Sequence, residues 1–204
     1  QFSNPLHQLD QPTKQRKLSR GVLVISGPSG AGKSSLVKAG LTARLREASR
    51  WTLLSLRPGL RPLDELARAI ERLGSLSNPT EPEAQLDALE GLRNGDDIRR
   101  HPGLAVAALH HLARQSRGNV LLFVDQAEEV LTLTEDDTEK RAFLSMLRAA
   151  AKDPADPVRV VLTIRDDFLT GVVTLAPDAD LARSLLLLGP PGRAELRATV
   201  EGPL

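Results

Sequence analysis

The sequence predicts a three-layer α/β fold built on a mostly parallel, five-stranded sheet. Short apolar runs at Val22–Ile25, Trp51–Leu56, Val120–Val124, Val158–Ile164 and Ser184–Leu188 alternate with longer stretches of helical spacing, the signature of helices covering a central sheet. Val120–Val124 is apolar without interruption, as expected of a parallel strand buried on both faces. A glycine-rich turn, Gly27–Gly32, follows the first run directly and opens onto helical spacing.

Residues 1–20, with Pro5, Pro12 and the polar run Gln11–Arg20, lack periodicity and read as an arm, so the core is expected over 21–204. Ser35–Arg50 places Leu36, Val37, Gly40, Leu41 and Leu45 at helical spacing. The strand Trp51–Leu56 ends at Arg57-Pro58-Gly59, and Pro62 can open a helix with Leu63, Leu66, Ala67, Ile70 and Leu73 on one face. Ser75–Pro82 is turn-rich; Glu83–Leu92 and Leu104–Arg117 are expected helices, the second with Leu104, Ala108, His111 and Leu112 near one stripe. Glu135–Ala151 is expected as a helix with Phe143, Leu144 and Leu147 inward, capped by the Thr134 hydroxyl. Ligands of such a fold sit at the carboxyl ends of the strands.

Gly27-Pro28-Ser29-Gly30-Ala31-Gly32-Lys33-Ser34 has the residue types and spacing of a phosphate cradle. Its glycines let backbone amides converge on phosphate, Lys33 brings a point charge, and Ser34 a hydroxyl for a metal. The helix that follows, beginning at Ser35, points its amino end at the phosphates. The expected ligand is ATP or GTP with magnesium. Leu121–Val124 ends in Asp125, a carboxylate placed to hold Mg2+ together with Ser34. Glu128 and Glu129 follow within one turn, and either can orient a water for attack on a γ-phosphate; spacing does not choose between them. Arg165 leaves the end of the fourth strand, where it can sense the γ-phosphate or pair with Asp166, Asp167 or Glu128. Arg57 ends the second strand and faces the site or serves the turn.

Twenty-seven basic residues are interspersed with 26 acidic ones, for a formal charge of +1, which offers no support for nucleic-acid binding. Arg99-Arg100 reads as solvated surface. The absence of cysteine excludes disulfides and thiolate chemistry and suits a reducing cytoplasm; the absence of tyrosine argues against stacking platforms for single strands. Leu185–Leu188 is too short to span a bilayer. Adjacent His110 and His111 diverge on a helix and lack an acidic partner at zinc spacing.

Taken in order, Gly27–Ser34, Arg57–Pro62, Val124–Val130, Thr163–Phe168, Leu188-Gly189-Pro190, Glu195-Leu196 and Glu201-Gly202-Pro203 resemble the novel-type STAND NTPases of bacteria, relatives of the NACHT ATPases. The resemblance implies a P-loop NTPase fold of STAND/AAA+-like type that binds ATP or ADP with Mg2+. By position, Gly27, Pro28, Ser29, Gly30, Ala31, Gly32, Lys33, Ser34 and Ser35 would form the nucleotide cradle, Ser34 and Asp125 the metal site. Glu128 and Glu129 match the acidic pair after the Walker B strand, Arg165 the first sensor; Ala127 stands where the family usually has phenylalanine. Family members are multidomain signalling switches whose NTPase core precedes a helical lid, a winged helix and WD40 or tetratricopeptide sensors. The chain is therefore expected to be the core of a longer cytoplasmic protein that self-associates on activation. Two rival readings are an occupancy switch with negligible hydrolysis and a nucleoside monophosphate kinase. The second would need tyrosine-bearing clamp elements, and the chain has no tyrosine.

Overall fold

The computed structural model describes residues 21–47, 50–75, 92, 94–153, 155–175 and 184–190. Five strands pair in parallel throughout: β1 (Val22–Gly27), β2 (Trp51–Leu56), β3 (Asn119–Val124), β4 (Val158–Arg165) and β5 (Leu185–Leu187). Their order across the sheet is β2-β3-β4-β1-β5. The chain thus leaves β1 for the far edge and returns through β3 and β4, so that β4 lies between β1 and β3.

Period-two alternation assigns the two faces of the sheet. Val22, Val24, Leu54, Leu56, Val120, Leu122, Val124, Val160 and Leu162 belong to the larger core, and Ile25, Leu121, Phe123 and Val161 to the smaller one. Helix α1 (residues 33–41) covers the smaller core with Val37 and Leu41. The larger core is closed by α3 (Pro62–Ser75), α4 (Gly95–Arg100), α5 (Pro102–Gln115), α7 (Asp137–Ala150) and α8 (Asp166–Leu175). Leu63, Leu66, Ile70, Leu109, Phe143 and Leu147 are among its fully buried side chains, each contributing about 1.5–3 kcal/mol by leaving water. The three-layer α/β architecture on a parallel five-stranded sheet is thereby established.

Several elements differ from their expected form. Helix α1 is not a uniform α-helix: Lys33–Ser35 leads into a π-helical segment, Leu36–Leu41, before α-geometry resumes at Thr42–Glu47, here α2. Both the amide and the hydroxyl of Thr42 donate to the Val37 carbonyl five residues back, which widens the turn around Gly40. Helix α5 starts at Pro102, whose ring suits the first helical position. Helix α4 has no apolar repeat to announce it; a reciprocal capping box between Asn94 and Asp97 starts it. Asp136, not Thr134, caps α7 by accepting from the Thr138 amide, whereas the Thr134 hydroxyl donates to the Gly59 carbonyl at 3.2 Å. Arg99 is not solvated surface: it donates to Glu139, a buried residue on α7. A short helix, α6 (Glu129–Thr132), intervenes after β3. The arm, the turn-rich segment and helix expected within 75–92, and the motifs at 195–203 lie outside the described residues, Ser75 and Leu92 apart.

Candidate functional site

The register of the sheet brings the motifs together. Gly27 pairs with Arg165, Val124 with Leu162 and Leu56 with Val124, so the residues after each strand emerge along one edge. At the end of β1 the loop turns through Gly30 and Gly32, with φ of 79° and 81°. These are left-handed conformations that a side chain disfavours, and a Cβ built on either glycine would project into open space. Gly32 precedes α1 with no side-chain cap, and its first turn carries no acidic residue, so the amides at this end are not neutralised by a carboxylate. Lys33 folds back and donates to the carbonyls of Gly27 and Pro28 at 2.7 and 2.8 Å. Ala31 is buried, Pro28 half-buried, and Ser29 and Ser35 are exposed.

Asp125, 1% exposed, sits at the centre. Ser34 Oγ donates to its Oδ1 at 2.5 Å and Thr163 Oγ1 donates to the same oxygen at 2.8 Å. Lys38 Nζ donates to Oδ2 at 2.8 Å, and Arg57 Nε lies 3.9 Å from that oxygen. Burial pushes the Asp125 carboxyl up, but hydrogen bonds from Lys38, Ser34 and Thr163, with the Lys38 charge, outweigh it and hold the group below the ordinary carboxylate range. The next residue, Gln126, has a φ of 57°, and its amide donates to Thr163 Oγ1. The Ala127 amide donates to the Thr163 carbonyl. These contacts turn the chain sharply after β3 and present Glu128 and Glu129 at the start of α6.

The two glutamates part at this turn. Glu128 Oε2 accepts from the Arg165 amide at 3.3 Å, which puts its carboxylate beside the end of β4, the neighbour of β1. Glu129 Oε2 accepts from the Gly59 amide at 3.0 Å and so engages the loop after β2. The Arg165 guanidinium pairs with Asp167, Nη2 to Oδ2 at 2.5 Å and Nε to Oδ1 at 3.1 Å, and lies 5.3 Å from the Phe168 ring centre.

Lys38 and Thr163 are members of this constellation that motif reading assigned no role. Lys38 is four residues beyond Ser34, a spacing that shares a helix face, and Thr163 lies beside Asp125 once β3 and β4 pair in parallel. The donor set fits a nucleotide and a hard divalent cation. A buried carboxylate in contact with a hydroxyl supplies oxygen ligands of the kind magnesium takes, and the open left-handed glycines leave room for phosphate against backbone.

The family model described as "Novel STAND NTPase 1" matches residues 6–204. No curated protein sequence matches significantly. Among solved structures, the ORC2 protein of Aeropyrum pernix, in ADPNP–ADP complexes, aligns with a TM-score of 0.59 at 18% identity over 89% of this chain and 45% of that one. Cdc6p of Pyrobaculum aerophilum aligns with a TM-score of 0.60 at 15% identity over 96% of this chain and 47% of its own. The ORC1 protein of A. pernix, solved in complex with DNA, gives 0.55 at 13% identity over 98% and 49%. The likeness is one of fold, and the chain spans about half the length of these proteins.

Proposed function

The chain belongs to the novel STAND NTPase 1 family, and from that premise we propose that it is the ATP-binding, slowly hydrolysing, Mg2+-dependent core of a multidomain bacterial signalling switch. The observation that carries the reading is the 2.5 Å hydrogen bond from Ser34 to the buried Asp125, which joins the phosphate loop to the end of β3.

In this reading the amides of residues 29–34 cradle the β- and γ-phosphates, and Lys33 exchanges its two loop carbonyls for phosphate oxygens. Ser34 and Asp125 would hold magnesium, which when bound neutralises charge developing on the phosphate oxygens. Glu128 accepts a proton from the attacking water as its oxygen bonds to the γ-phosphorus and the bond to the bridging oxygen breaks, leaving ADP and phosphate. Glu129 holds the loop that carries Arg57 instead of acting on water. Arg165 serves as sensor once it leaves Asp167 for the γ-phosphate.

The partners proposed are nucleotide, lid and sensor modules of the same protein, and further copies on activation, with no direct nucleic-acid ligand; the compartment is the cytoplasm. Residues 21–204 form the NTPase core and 1–20 an arm. One observation favours the occupancy-switch alternative: the Arg165 guanidinium is satisfied by Asp167, as it would be in a site that binds without turning over.

Calorimetric titration with ATP, ADP and GTP in magnesium, followed by phosphate release from the same samples, tests both. Adenine-selective binding with slow release supports the switching ATPase; binding without release selects the occupancy switch; equal binding by wild type and Lys33→Ala sinks the site.

A further inference from the structure

The two oxygens of Asp125 are used differently. Oδ1 is filled by two neutral hydroxyl donors, Ser34 at 2.5 Å and Thr163 at 2.8 Å, both fixed by the helix and strand that carry them. Among the described residues, Oδ2 faces only cations: the Lys38 ammonium at 2.8 Å and, beyond hydrogen-bond range, the Arg57 guanidinium at 3.9 Å. A carboxylate this buried needs a charge partner, since an unpaired ion inside a protein is costly. Lys38 supplies one from a side chain that is 52% exposed, so its ammonium can return to water without dragging any core group with it. Its Nζ also lies 5.9 Å from the Phe123 ring centre, against the sheet face that α1 covers.

We propose that Lys38 is the resident counter-cation of Asp125: it occupies the oxygen that a divalent cation would take, and its withdrawal is a condition of metal binding. The local backbone is suited to this. Lys38 lies inside the π-helical segment Leu36–Leu41, whose widened turn is held by Thr42 on the Val37 carbonyl. Such π-helical turns inside α-helices are frequent at functional sites. Lys38 thus sets the magnesium requirement of the site, keeping the carboxylate satisfied when the metal is absent and releasing it only when metal and phosphate arrive together. The inference rests on the assignment of Asp125 as the metal carboxylate.

The test measures ADP affinity by calorimetry as a function of magnesium concentration for the wild type, Lys38→Met, Lys38→Gln, Lys38→Arg and Asp125→Asn, with the exposed Lys152→Met correcting for the loss of one positive charge. Removing the competing ammonium is expected to lower the half-effective magnesium concentration about tenfold in Lys38→Met and Lys38→Gln, and little in Lys38→Arg. A second readout needs no nucleotide. Magnesium alone should raise the thermal midpoint of Lys38→Met while leaving that of the wild type in place. An unchanged or higher magnesium requirement in both neutral variants, while Asp125→Asn abolishes the response, overturns the role of Lys38 and leaves the metal assignment standing. A magnesium response that survives in Asp125→Asn overturns the assignment itself and this inference with it.

Discussion

Ser34 and Asp125, 91 residues apart in sequence, meet through a hydrogen bond of 2.5 Å, which fastens the phosphate loop to the strand beyond β4 from it. Around that bond Asp125 gathers Thr163 and Lys38 as well, so one buried carboxylate ties together β3, β4 and α1. Electrostatics follows from this clustering and makes the first prediction.

The Asp125 carboxyl is held below its ordinary range in the folded chain. A group whose folded pKa is depressed contributes stability that is fully present above its unfolded pKa, about 3.9 for aspartate, and that is lost as pH falls through the folded value. Unfolding midpoints measured from pH 7 downward should therefore show a steeper acid limb in the wild type than in Asp125→Asn. At pH 7 the variant should be about 1–3 kcal/mol less stable, because Lys38 loses its charge partner and one of the two acceptor oxygens becomes an NH2 donor. Parallel acid limbs would remove Asp125 as a stabilising charge.

Lys33→Ala separates binding from folding. Among the described residues the ammonium donates to two loop carbonyls alone, which water can satisfy, so the change should move stability by no more than about 1 kcal/mol. Triphosphate affinity should fall about a hundredfold or more, since a charge-assisted contact to phosphate is lost. Calorimetry and thermal unfolding on the same sample check both halves.

Glu128 and Glu129 should respond to different substitutions. A glutamine at 129 can still accept from the Gly59 amide, so Glu129→Gln should leave phosphate release close to wild type, whereas Glu129→Ala frees the Arg57-Pro58-Gly59 loop and weakens nucleotide binding. Glu128→Gln keeps an acceptor for the Arg165 amide but loses the base, and should slow release about 10²–10⁴-fold with binding retained. The reverse pattern would exchange the two roles.

What the sequence made legible follows from which contacts are local. The turn after β1, the place of Asp125 at the end of β3 and the strands with continuous apolar runs are readable because spacing along one segment dictates them. The α3 face of Leu63, Leu66, Ala67 and Ile70 was equally plain, and all four are buried. Lys38, Thr163 and the split between Glu128 and Glu129 were not, since they depend on which strands lie side by side and on a left-handed Gln126. The order β2-β3-β4-β1-β5 is a property of tertiary pairing, and motif spacing carries no trace of it. The sequence offers Thr134 as a helix cap because threonine is among the residues preferred there. Its hydroxyl goes instead to Gly59, 75 residues away.

Arg99 gives the last prediction, on stability alone. Arg99-Arg100 reads as a charged surface pair, but Arg99 Nη2 donates to Glu139 at 2.5 Å, and the other Glu139 oxygen accepts from the Leu63 amide at 3.4 Å at the start of α3. Asp96 and Asp136 lie 3.5 and 4.0 Å from the same guanidinium, so α4 and α7 are joined through it. Because Glu139 is buried and Arg99 one-third exposed, removing the arginine leaves a carboxylate with little access to water, and Arg99→Leu should cost roughly 1–3 kcal/mol after solvent screening. Replacing both partners, Arg99→Leu with Glu139→Leu, removes the stranded charge and should recover most of the loss. Denaturant midpoints of the two single variants and the double variant measure the coupling directly. Additive losses would show that the pair is not energetically joined.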